Sequence, residues 1–417
     1  PRILVLCLLQ FLDVMGATMV ITLLPTMLAE VDAGPAGAIL LSSGYAVAFG
    51  GCLILGARLG DRFGHVRVIA ASTLVFAAAG ILVAAAPTLA LLSTGRVLQG
   101  LAAAVTVPAA LFLITVTTDE GQPRQRAIAS WSAAGAAAGA TGFIVGGLAS
   151  ASGQWRVSFL VLGVLAGGLG LLTRRLFRRT PARITRGPLD TGGGLLLTLT
   201  VGLVVTGTAL ALEHPAKALW LGAAALLTGS CLAVAERRST NPVLSPEILR
   251  SPLVQRGSAV SFINTATTSA AAAMGTLSLQ DEYGQSGLTT AVVLLPFSIA
   301  VMAGSAFAPR LMDRKGENTV MAWGLAGIAA GTALLPLVPG HLPAIAVAMA
   351  VSGAGIGLSS SAATHTGTKV SEEIRAAAAA MLNTAAQLGT ALGIALAMAV
   401  AVLWGFGAAW LLLAVAA

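Results

Sequence analysis

Asp13 and Arg96 are the charged residues that lie deepest within long apolar segments of the chain. Of the sixteen acidic residues, only Asp13 is well inside such a segment, about 10 residues or roughly 15 Å along its predicted helix. A charge near the centre of a bilayer costs on the order of 3 kcal/mol, so such residues usually line a wet cavity or pair with each other. A carboxylate that is both desolvated and close to an arginine can exchange a proton as its surroundings change. The pair therefore predicts proton coupling; the alternative is that each charge only joins neighbouring helices or reaches the interface.

Several uncharged or weakly basic polar residues also interrupt the apolar segments. They are candidates for contact with a small-molecule cargo, and a hydrogen bond between helices explains each of them equally well. These residues are Gln10, Gln99, Asn264, His365, Asn383 and Gln387.

One charged signature occurs twice, each time between two apolar runs. It reads Arg58-Leu59-Gly60-Asp61-Arg62-Phe63-Gly64 and Arg310-Leu311-Met312-Asp313-Arg314-Lys315-Gly316. An aspartate near a helix end, surrounded by arginines, can form ion pairs or caps. We interpret Arg58, Asp61, Arg62, Arg310, Asp313 and Arg314 as gating residues that close one side of a cavity. The alternative is that they are topological charges with solvated surface pairs, worth roughly 0–1 kcal/mol each.

The composition predicts that the elements carrying these residues are membrane helices. The chain of 417 residues is 56% hydrophobic and 10% charged, with a mean hydropathy of +0.89, which is too apolar for one water-soluble globule. A bilayer core of about 30 Å needs roughly 20 apolar residues per helix. The apolar runs predict fourteen transmembrane helices, at 3–28, 38–59, 68–86, 89–117, 127–150, 157–173, 191–212, 219–235, 258–279, 288–309, 319–338, 343–364, 376–403 and 406–417. Because the last run is short, we expect missing residues at the termini or near Trp404.

The distribution of basic residues predicts the orientation. With a cytoplasmic amino terminus, all but three of the 24 Lys and Arg residues fall in cytoplasmic loops; the three are Arg96, Arg156 and Lys217. This asymmetry follows the positive-inside rule and places both termini in the cytoplasm. It also accounts for the net charge of +8, so no nucleic-acid partner is predicted. Cys7, Cys52 and Cys231 lie in predicted spans, and their spacing predicts neither a disulfide framework nor a metal site.

The offset between the two signatures divides the chain. Residues 1–173 form a predicted amino-terminal six-helix bundle, residues 174–257 an arginine-rich loop with two extra helices and a connector, and residues 258–417 a carboxy-terminal six-helix bundle. Repeated bundles that face each other across a central cavity are a common plan for secondary transporters, in which access alternates as the halves rock. The expected fold is all-α and integral to the membrane, and we expect the chain to function as a monomer.

The ordered motifs resemble the major facilitator superfamily, and in particular its fourteen-span drug:proton antiporter branch. The first signature is similar to the loop motif after the second helix, and Arg96, Gln99, Gly100 and Pro108 to the fourth-helix motif. Further similarities to the branch are Tyr45, Arg126-Ala127 with Trp131, Trp155-Arg156, Asp190-x-x-Gly193, Asn241-Pro242, and Leu382-Asn383-x-x-x-Gln387-Leu388-Gly389-x-x-x-Gly393. The resemblance implies a major facilitator fold and export of an amphiphilic organic compound, such as a drug or natural product, in exchange for protons. The Ala/Gly/Arg bias points to the inner membrane of a bacterium.

Two departures from the branch keep other functions open. The fifth-helix antiporter motif normally contains a proline, whereas the sequence here is Gly142-Phe143-Ile144-Val145-Gly146-Gly147. An acid usual in the first helix is replaced by Gly16, and Asp13 lies on roughly the same helical face. The alternatives are a proton symporter or facilitator for a small metabolite, and a non-transporting membrane receptor. No nucleophile–base set, metal cluster or nucleotide motif is recognisable, so neither an enzyme nor a cofactor is predicted.

Overall fold

The computed structural model describes residues 2–119, 121–178, 191–211, 214–238, 248 and 250–417. In these residues the secondary structure is helical, with no strand. Arg179, Arg183 and Arg186 of the predicted arginine-rich loop, together with Asp190 and Asn241-Pro242, lie outside the described residues.

Thirteen long helices occupy the described part of the chain. They are α1 (Arg2–Glu30), α2 (Pro35–Phe63), α3 (His65–Ala85), α4 (Leu89–Thr117), α5 (Gln122–Ala151), α6 (Trp155–Leu176), α7 (Thr191–Leu210), α8 (Pro215–Arg238), α9 (Pro252–Leu277), α10 (Gly287–Lys315), α11 (Glu317–Leu334), α12 (Leu342–Gly367) and α13 (Glu372–Ala416). A π-helical turn, Ser278–Glu282, follows α9, and a 3-10 turn, Leu335–Leu337, follows α11.

Twelve of these helices are long and apolar enough to cross a bilayer, so the count of fourteen is not confirmed. Helix α9 is the one left out. It carries many polar residues, including Arg256 and Asn264, and it buries much of its length against other helices, so its mean hydropathy is low although its length suffices. Helix α13 contains Gly405 at φ 83° and ψ 166°, a non-helical conformation that separates its last residues from the rest.

The two copies of the signature end their helices in the same way. Gly64 (φ 91°) and Gly316 (φ 83°) follow α2 and α10 directly, and their amides donate to the Gly60 and Met312 carbonyls at 2.9 Å. A positive φ is accessible to glycine without a steric penalty, which explains why each signature closes on this residue. The end of the molecule that carries Gly64 and Gly316 is called the signature end below, and the other is called the opposite end.

Helix packing repeats between the two halves of the chain. In the first half α1 packs along α5, α2 along α4, and α3 along α4; in the second half α9 packs along α13, α10 along α12, and α11 along α12. The halves meet where α2 contacts α13, α5 contacts α10, and α1 contacts α9. Helices α7 and α8 pair with each other, and α7 lies against α2 and α13. The central faces of α1, α5, α9 and α10 therefore surround the space between the bundles.

Candidate proton and substrate sites

Asp13 and Tyr45 form a buried hydrogen bond between α1 and α2. The Tyr45 hydroxyl donates to Asp13 Oδ1 at 2.6 Å, and the side chains are 7% and 5% exposed. A hydrogen bond to an ionised acceptor is stronger than one between neutral groups, and it stabilises the charged form of the carboxylate. The acid that the sequence places deep in a helix is thus held by a donor from the neighbouring helix.

Arg96 extends this cluster from α4. Its guanidinium lies 4.8 Å from the centroid of the Tyr45 ring, close enough for a cation–π contact. Its Nη1 donates to Gln99 Oε1 at 2.8 Å and to the Gly16 carbonyl of α1 at 3.4 Å. Tyr45 therefore touches both charges, through its hydroxyl and through its ring. Among the described residues, Arg96 Nε and Gln99 Nε2 are buried without a partner, so the cluster retains hydrogen-bonding capacity.

The close approach of α2 and α4 brings Arg96 to Tyr45. A Cβ at Gly100 would lie 2.3 Å from the Tyr45 carbonyl oxygen, a distance that an alanine could not adopt without separating the helices. Gly100 lies one turn after Arg96 and adjoins Gln99. The Arg-x-x-Gln-Gly spacing on α4 therefore supplies the charge, its hydrogen-bond partner and the glycine that lets the backbones meet.

Helix α5 packs into α1 through residues spaced by four. Cβ atoms at Gly142 and Gly146 would lie 1.8 Å from Thr18 Oγ1 and 2.1 Å from Thr22 Oγ1, and Ser150 bonds Thr26 at 2.7 Å. Helix α5 continues from Gln122 to Ala151, so the stretch without the proline still makes close backbone contacts. Thr18 and Thr22 thus occupy the space that side chains at Gly142 and Gly146 would need.

A cavity of about 220 Å³ lies between the bundles. Its walls come from α1, α5, α9, α10 and α12, and none of the described lining residues carries a charge. None of the predicted cargo residues lines this cavity. The sequence reasoning did not select its lining because regularly spaced Thr, Ser and Gly residues are equally typical of helix packing.

The six predicted cargo residues lie in different places. Gln10 is close to Gly135, whose Cβ would lie 3.3 Å from Gln10 Nε2, and Gln99 belongs to the Asp13 cluster. Asn264 is 1% exposed and accepts a hydrogen bond from Ser359 at 2.8 Å.

The other three are distributed between the middle and the signature end. Asn383 donates to the Ala379 carbonyl of its own helix. Gln387 lies against Gly50, whose Cβ would be 2.5 Å from Gln387 Cβ. His365 is 56% exposed near the end of α12. The structure therefore does not bring the six residues together into one pocket.

The predicted gating residues lie at the signature end, with different neighbours in the two halves. Asp61 Oδ1 is 3.4 Å from His65 Nε2, and the His65 ring stacks on Phe112 of α4 with centroids 3.7 Å apart. The Arg62 guanidinium lies over the Phe63 ring, and Arg58 also has a contact in the structure. The sequence pattern predicted no role for His65.

In the second half, Glu317 rather than Asp313 makes the described ion pairs. Its Oε1 lies 3.1 Å from His365 Nδ1 and from Lys369 Nζ, and Thr366 donates to its Oε2 at 2.9 Å. Asp313 lines a cavity of about 550 Å³ beside these groups. No ion pair of Arg310, Asp313 or Arg314 is among the contacts of the described residues. The sequence reasoning missed Glu317, although it directly follows the glycine that ends the second signature.

At the opposite end the two bundles contact each other, and an ion pair joins helices of the first bundle. Gln280 of the π-helical turn donates to the Thr22 carbonyl at 3.0 Å, and a Cβ at Gly147 would lie 2.6 Å from the Gly287 carbonyl oxygen. Arg156 bonds Glu30 at 2.9 Å. Partial desolvation raises the pKa of Asp281, next to Gln280.

No group of three or more His, Cys, Asp or Glu in the described ranges is placed to hold a metal ion.

Comparison with known proteins gives one family and many relatives. The family model described as Major Facilitator Superfamily matches residues 6–236 and 257–417. The chain is 32% identical to the puromycin resistance protein of Streptomyces alboniger, over 91% of this chain and 77% of the relative. It is 28% identical to the cephamycin export protein of Amycolatopsis lactamdurans, over 78% of this chain and 68% of the relative.

Solved structures show the same fold at low sequence identity. The human organic anion transporter matches with a TM-score of 0.68 and 16% identity, covering 100% of this chain and 97% of that protein. A bacterial homologue of the human lysosomal transporter Spinster, in an inward-facing and occupied conformation, matches with a TM-score of 0.66 and 15% identity, covering 95% and 80%.

Proposed function

Because the chain belongs to the Major Facilitator Superfamily, and its family and relatives indicate a transporter rather than an enzyme, we propose that it exports an amphiphilic organic compound in exchange for protons. The cargo class is supported by relatives whose names are those of antibiotic resistance and export proteins. We place the chain in the cytoplasmic membrane of a bacterium, with both termini and the signature end in the cytoplasm. It acts as a monomer, with protons, the cargo and the bilayer as its partners and without nucleic acid.

The observation that carries this proposal is the buried Asp13–Tyr45–Arg96 cluster. Asp13 is only 7% exposed, and burying a carboxylate within a bilayer costs free energy. Such residues are therefore usually functional. Here the carboxylate has one hydroxyl donor and a nearby cation, which leaves room for protonation and deprotonation as α1, α2 and α4 change their packing. Asp13 is the proton carrier in this proposal, and Arg96 is the residue that limits how readily Asp13 accepts a proton.

Alternating access is supported by where the bundles touch. The contacts of Gln280 with Thr22, and of Gly147 with Gly287, hold the opposite end closed, as expected for a carrier that is closed toward the outside. Asp61 and Asp313, each on one copy of the signature, form the gate on the cytoplasmic side. With α9 counted, the helices of the described residues give thirteen spans, and the short segment of α13 after Gly405 is part of the fourteenth span of the drug:proton antiporter branch in this proposal.

A proton symporter or facilitator is the second candidate, favoured by the missing proline in α5. The close contacts of Gly142 and Gly146 with α1 support antiport instead, because they keep the tight α1–α5 interface without the proline. In a non-transporting receptor the buried Asp13–Tyr45–Arg96 cluster would have no role in proton coupling, so the cluster favours a transporter.

Flux in proteoliposomes under an imposed pH gradient tests the proposal. Chloramphenicol, an uncharged amphiphile, is a suitable first probe, and Asp13→Asn in the same vesicles is the control. We expect accumulation of cargo on the acidic side that collapses with the gradient. Movement of cargo together with protons supports symport, equilibration without a gradient supports a facilitator, and the absence of flux for any compound supports a receptor.

A further inference from the structure

The central cavity contains polar groups but no charge. Its fourteen described lining residues include five hydroxyl side chains, Thr18, Thr265, Thr268, Ser269 and Ser298. The remaining walls are aliphatic side chains, glycines and the two aromatic residues Phe143 and Phe297. A charged cargo would therefore have no counter-ion among these lining residues, whereas uncharged polar groups of a cargo could form hydrogen bonds with the hydroxyl side chains.

Most of the hydroxyl protons are already used inside the protein. Thr18 donates to the Val14 carbonyl at 3.0 Å, Thr265 to the Ser261 carbonyl at 3.0 Å, and Thr268 to the Asn264 carbonyl. A hydroxyl that has donated its proton can still accept, because two lone pairs remain. The Ser298 hydroxyl makes no hydrogen bond to the residues that the structure describes. Ser269 shares a 3.2 Å hydrogen bond with Thr390 in which either hydroxyl can be the donor. The cavity thus offers mainly acceptors, with Ser298 and Ser269 able to donate or accept.

The proton cluster and the cavity lie on different faces of α1. Asp13 points to Tyr45 of α2, whereas Thr18 and Ile21 line the cavity. At about 100° per residue, Thr18 is rotated by about 140° and Ile21 by about 80° from Asp13 around the helix. Asp13 is not part of the cavity lining, so its carboxylate is not positioned to neutralise a cationic cargo held there.

We propose that this cavity binds the apolar body of an uncharged amphiphile bearing hydrogen-bond donors, and that it discriminates against organic cations. The inference rests on the proposed export function and names its substrate class. Burying an unpaired charge costs far more than burying a hydrogen-bonded neutral group. The volume of about 220 Å³ is below the roughly 300 Å³ at which drug-sized pockets begin, so it accommodates a single ring and its substituents. Proton and cargo are then coupled through movement of α1 and not by competition for one carboxylate.

Thiol labelling with two reagents of equal shape tests the charge preference directly. The uncharged reagent is 3,3-dimethylbutyl methanethiosulfonate, and the cationic one is its trimethylammonium-ethyl counterpart. The chain carries Cys7→Ala, Cys52→Ala and Cys231→Ala, with Ser298→Cys as the cavity reporter and the exposed Ser130→Cys as the control. The ratio of neutral to cationic labelling rates at Ser298→Cys should exceed that at Ser130→Cys at least ten-fold. Ser269→Cys is a second reporter, with the same expectation, if Ser298→Cys fails to fold.

Adding a carboxylate to the cavity wall tests whether the selectivity comes from charge in the cavity or from the greater partitioning of the uncharged reagent into lipid. Adding Ser269→Asp to the Ser298→Cys chain should raise the cationic rate several-fold and leave the neutral rate within two-fold. The proposal is overturned if the rate ratios at the cavity and control positions agree within two-fold, or if the added carboxylate does not raise the cationic rate. Labelling does not require flux: neutral selectivity without pH-driven flux would refute export alone, and pH-driven flux with rapid cationic labelling would refute the substrate class alone.

Discussion

The Tyr45 hydroxyl donates a 2.6 Å hydrogen bond to the Asp13 carboxylate, and the same aromatic ring lies against Arg96. One residue of α2 thereby connects the charge of α1 with the charge of α4. A rocking movement that shifts α2 relative to α1 would change both contacts together. This arrangement gives a physical route by which the conformation of the first bundle alters the protonation of Asp13.

Asp13→Asn should stop uphill transport while the protein still folds. Asparagine is nearly isosteric and can still accept from Tyr45, but it cannot exchange a proton near neutral pH. We expect accumulation of cargo against its gradient to disappear and downhill exchange to lose its pH dependence. The measurement is flux at several pH values, with Asp32→Asn as a conservative control at the opposite end. Uphill transport with the parental pH profile would rule out Asp13 as the proton site.

Tyr45→Phe separates the two contacts of this side chain. It removes the donor to Asp13 and keeps the ring beside Arg96. A hydrogen bond to a charged group contributes about 1.5 kcal/mol or more, and about 1.4 kcal/mol corresponds to one pH unit. Since the donor stabilises the ionised carboxylate, its loss should move the pH profile of flux toward alkaline values by about one unit. Tyr45→Leu, which also removes the ring, should reduce the maximal rate. An unshifted profile in Tyr45→Phe would show that the hydrogen bond does not influence coupling.

Arg96→Ala should abolish driven transport, and Arg96→Lys should retain part of it. Lysine keeps the charge but loses the planar group that bonds Gln99 and Gly16 in the structure. Flux normalised to the amount of folded protein measures both effects, with Gln99→Ala as a test of the partner. If Arg96→Ala retained driven flux near the parental rate, Arg96 would have only a structural role and no role in coupling.

The sequence predicts the all-helical fold correctly, because hydropathy is a property of single segments. The ordered motifs, by their resemblance, predict the family correctly. The sequence also selects Asp13 and Arg96 from their isolation among apolar residues. Tyr45 entered only as a motif similarity, because its role depends on how closely α2 and α4 pack. His365, predicted to contact cargo, lies beside Glu317 and lines the cavity at the signature end; the sequence could not indicate this, since distance along a predicted span does not determine which neighbours a side chain meets. The lining of the central cavity was missed because its regularly spaced Thr, Ser and Gly residues are equally typical of helix packing.

Gly142→Ala should destabilise the α1–α5 interface, whereas Gly168→Ala should not. The new Cβ at position 142 would lie 1.8 Å from Thr18 Oγ1 and 2.9 Å from the Met15 carbonyl oxygen, and at position 168 it meets nothing within 4 Å. Overpacking typically costs about 1–3 kcal/mol, while alanine improves helix propensity at both positions. Thermal unfolding in detergent should show a lower Tm for Gly142→Ala and an unchanged or higher Tm for Gly168→Ala. Equal Tm values would mean that α1 and α5 are not packed as tightly as described.

Asp61→Asn and Asp313→Asn should each bias the carrier toward an open signature end. Each substitution removes an anionic group from its copy of the signature, near His65 in the first half and beside the Glu317 cluster in the second. Folding should be preserved, because an exposed pair contributes roughly 0–1 kcal/mol. Labelling of the Ser298→Cys reporter by the uncharged thiosulfonate should accelerate several-fold, and Asp119→Asn in the α4–α5 loop is the matched control. If both substitutions leave the labelling rate and the flux unchanged, the signatures set topology and do not gate the cavity.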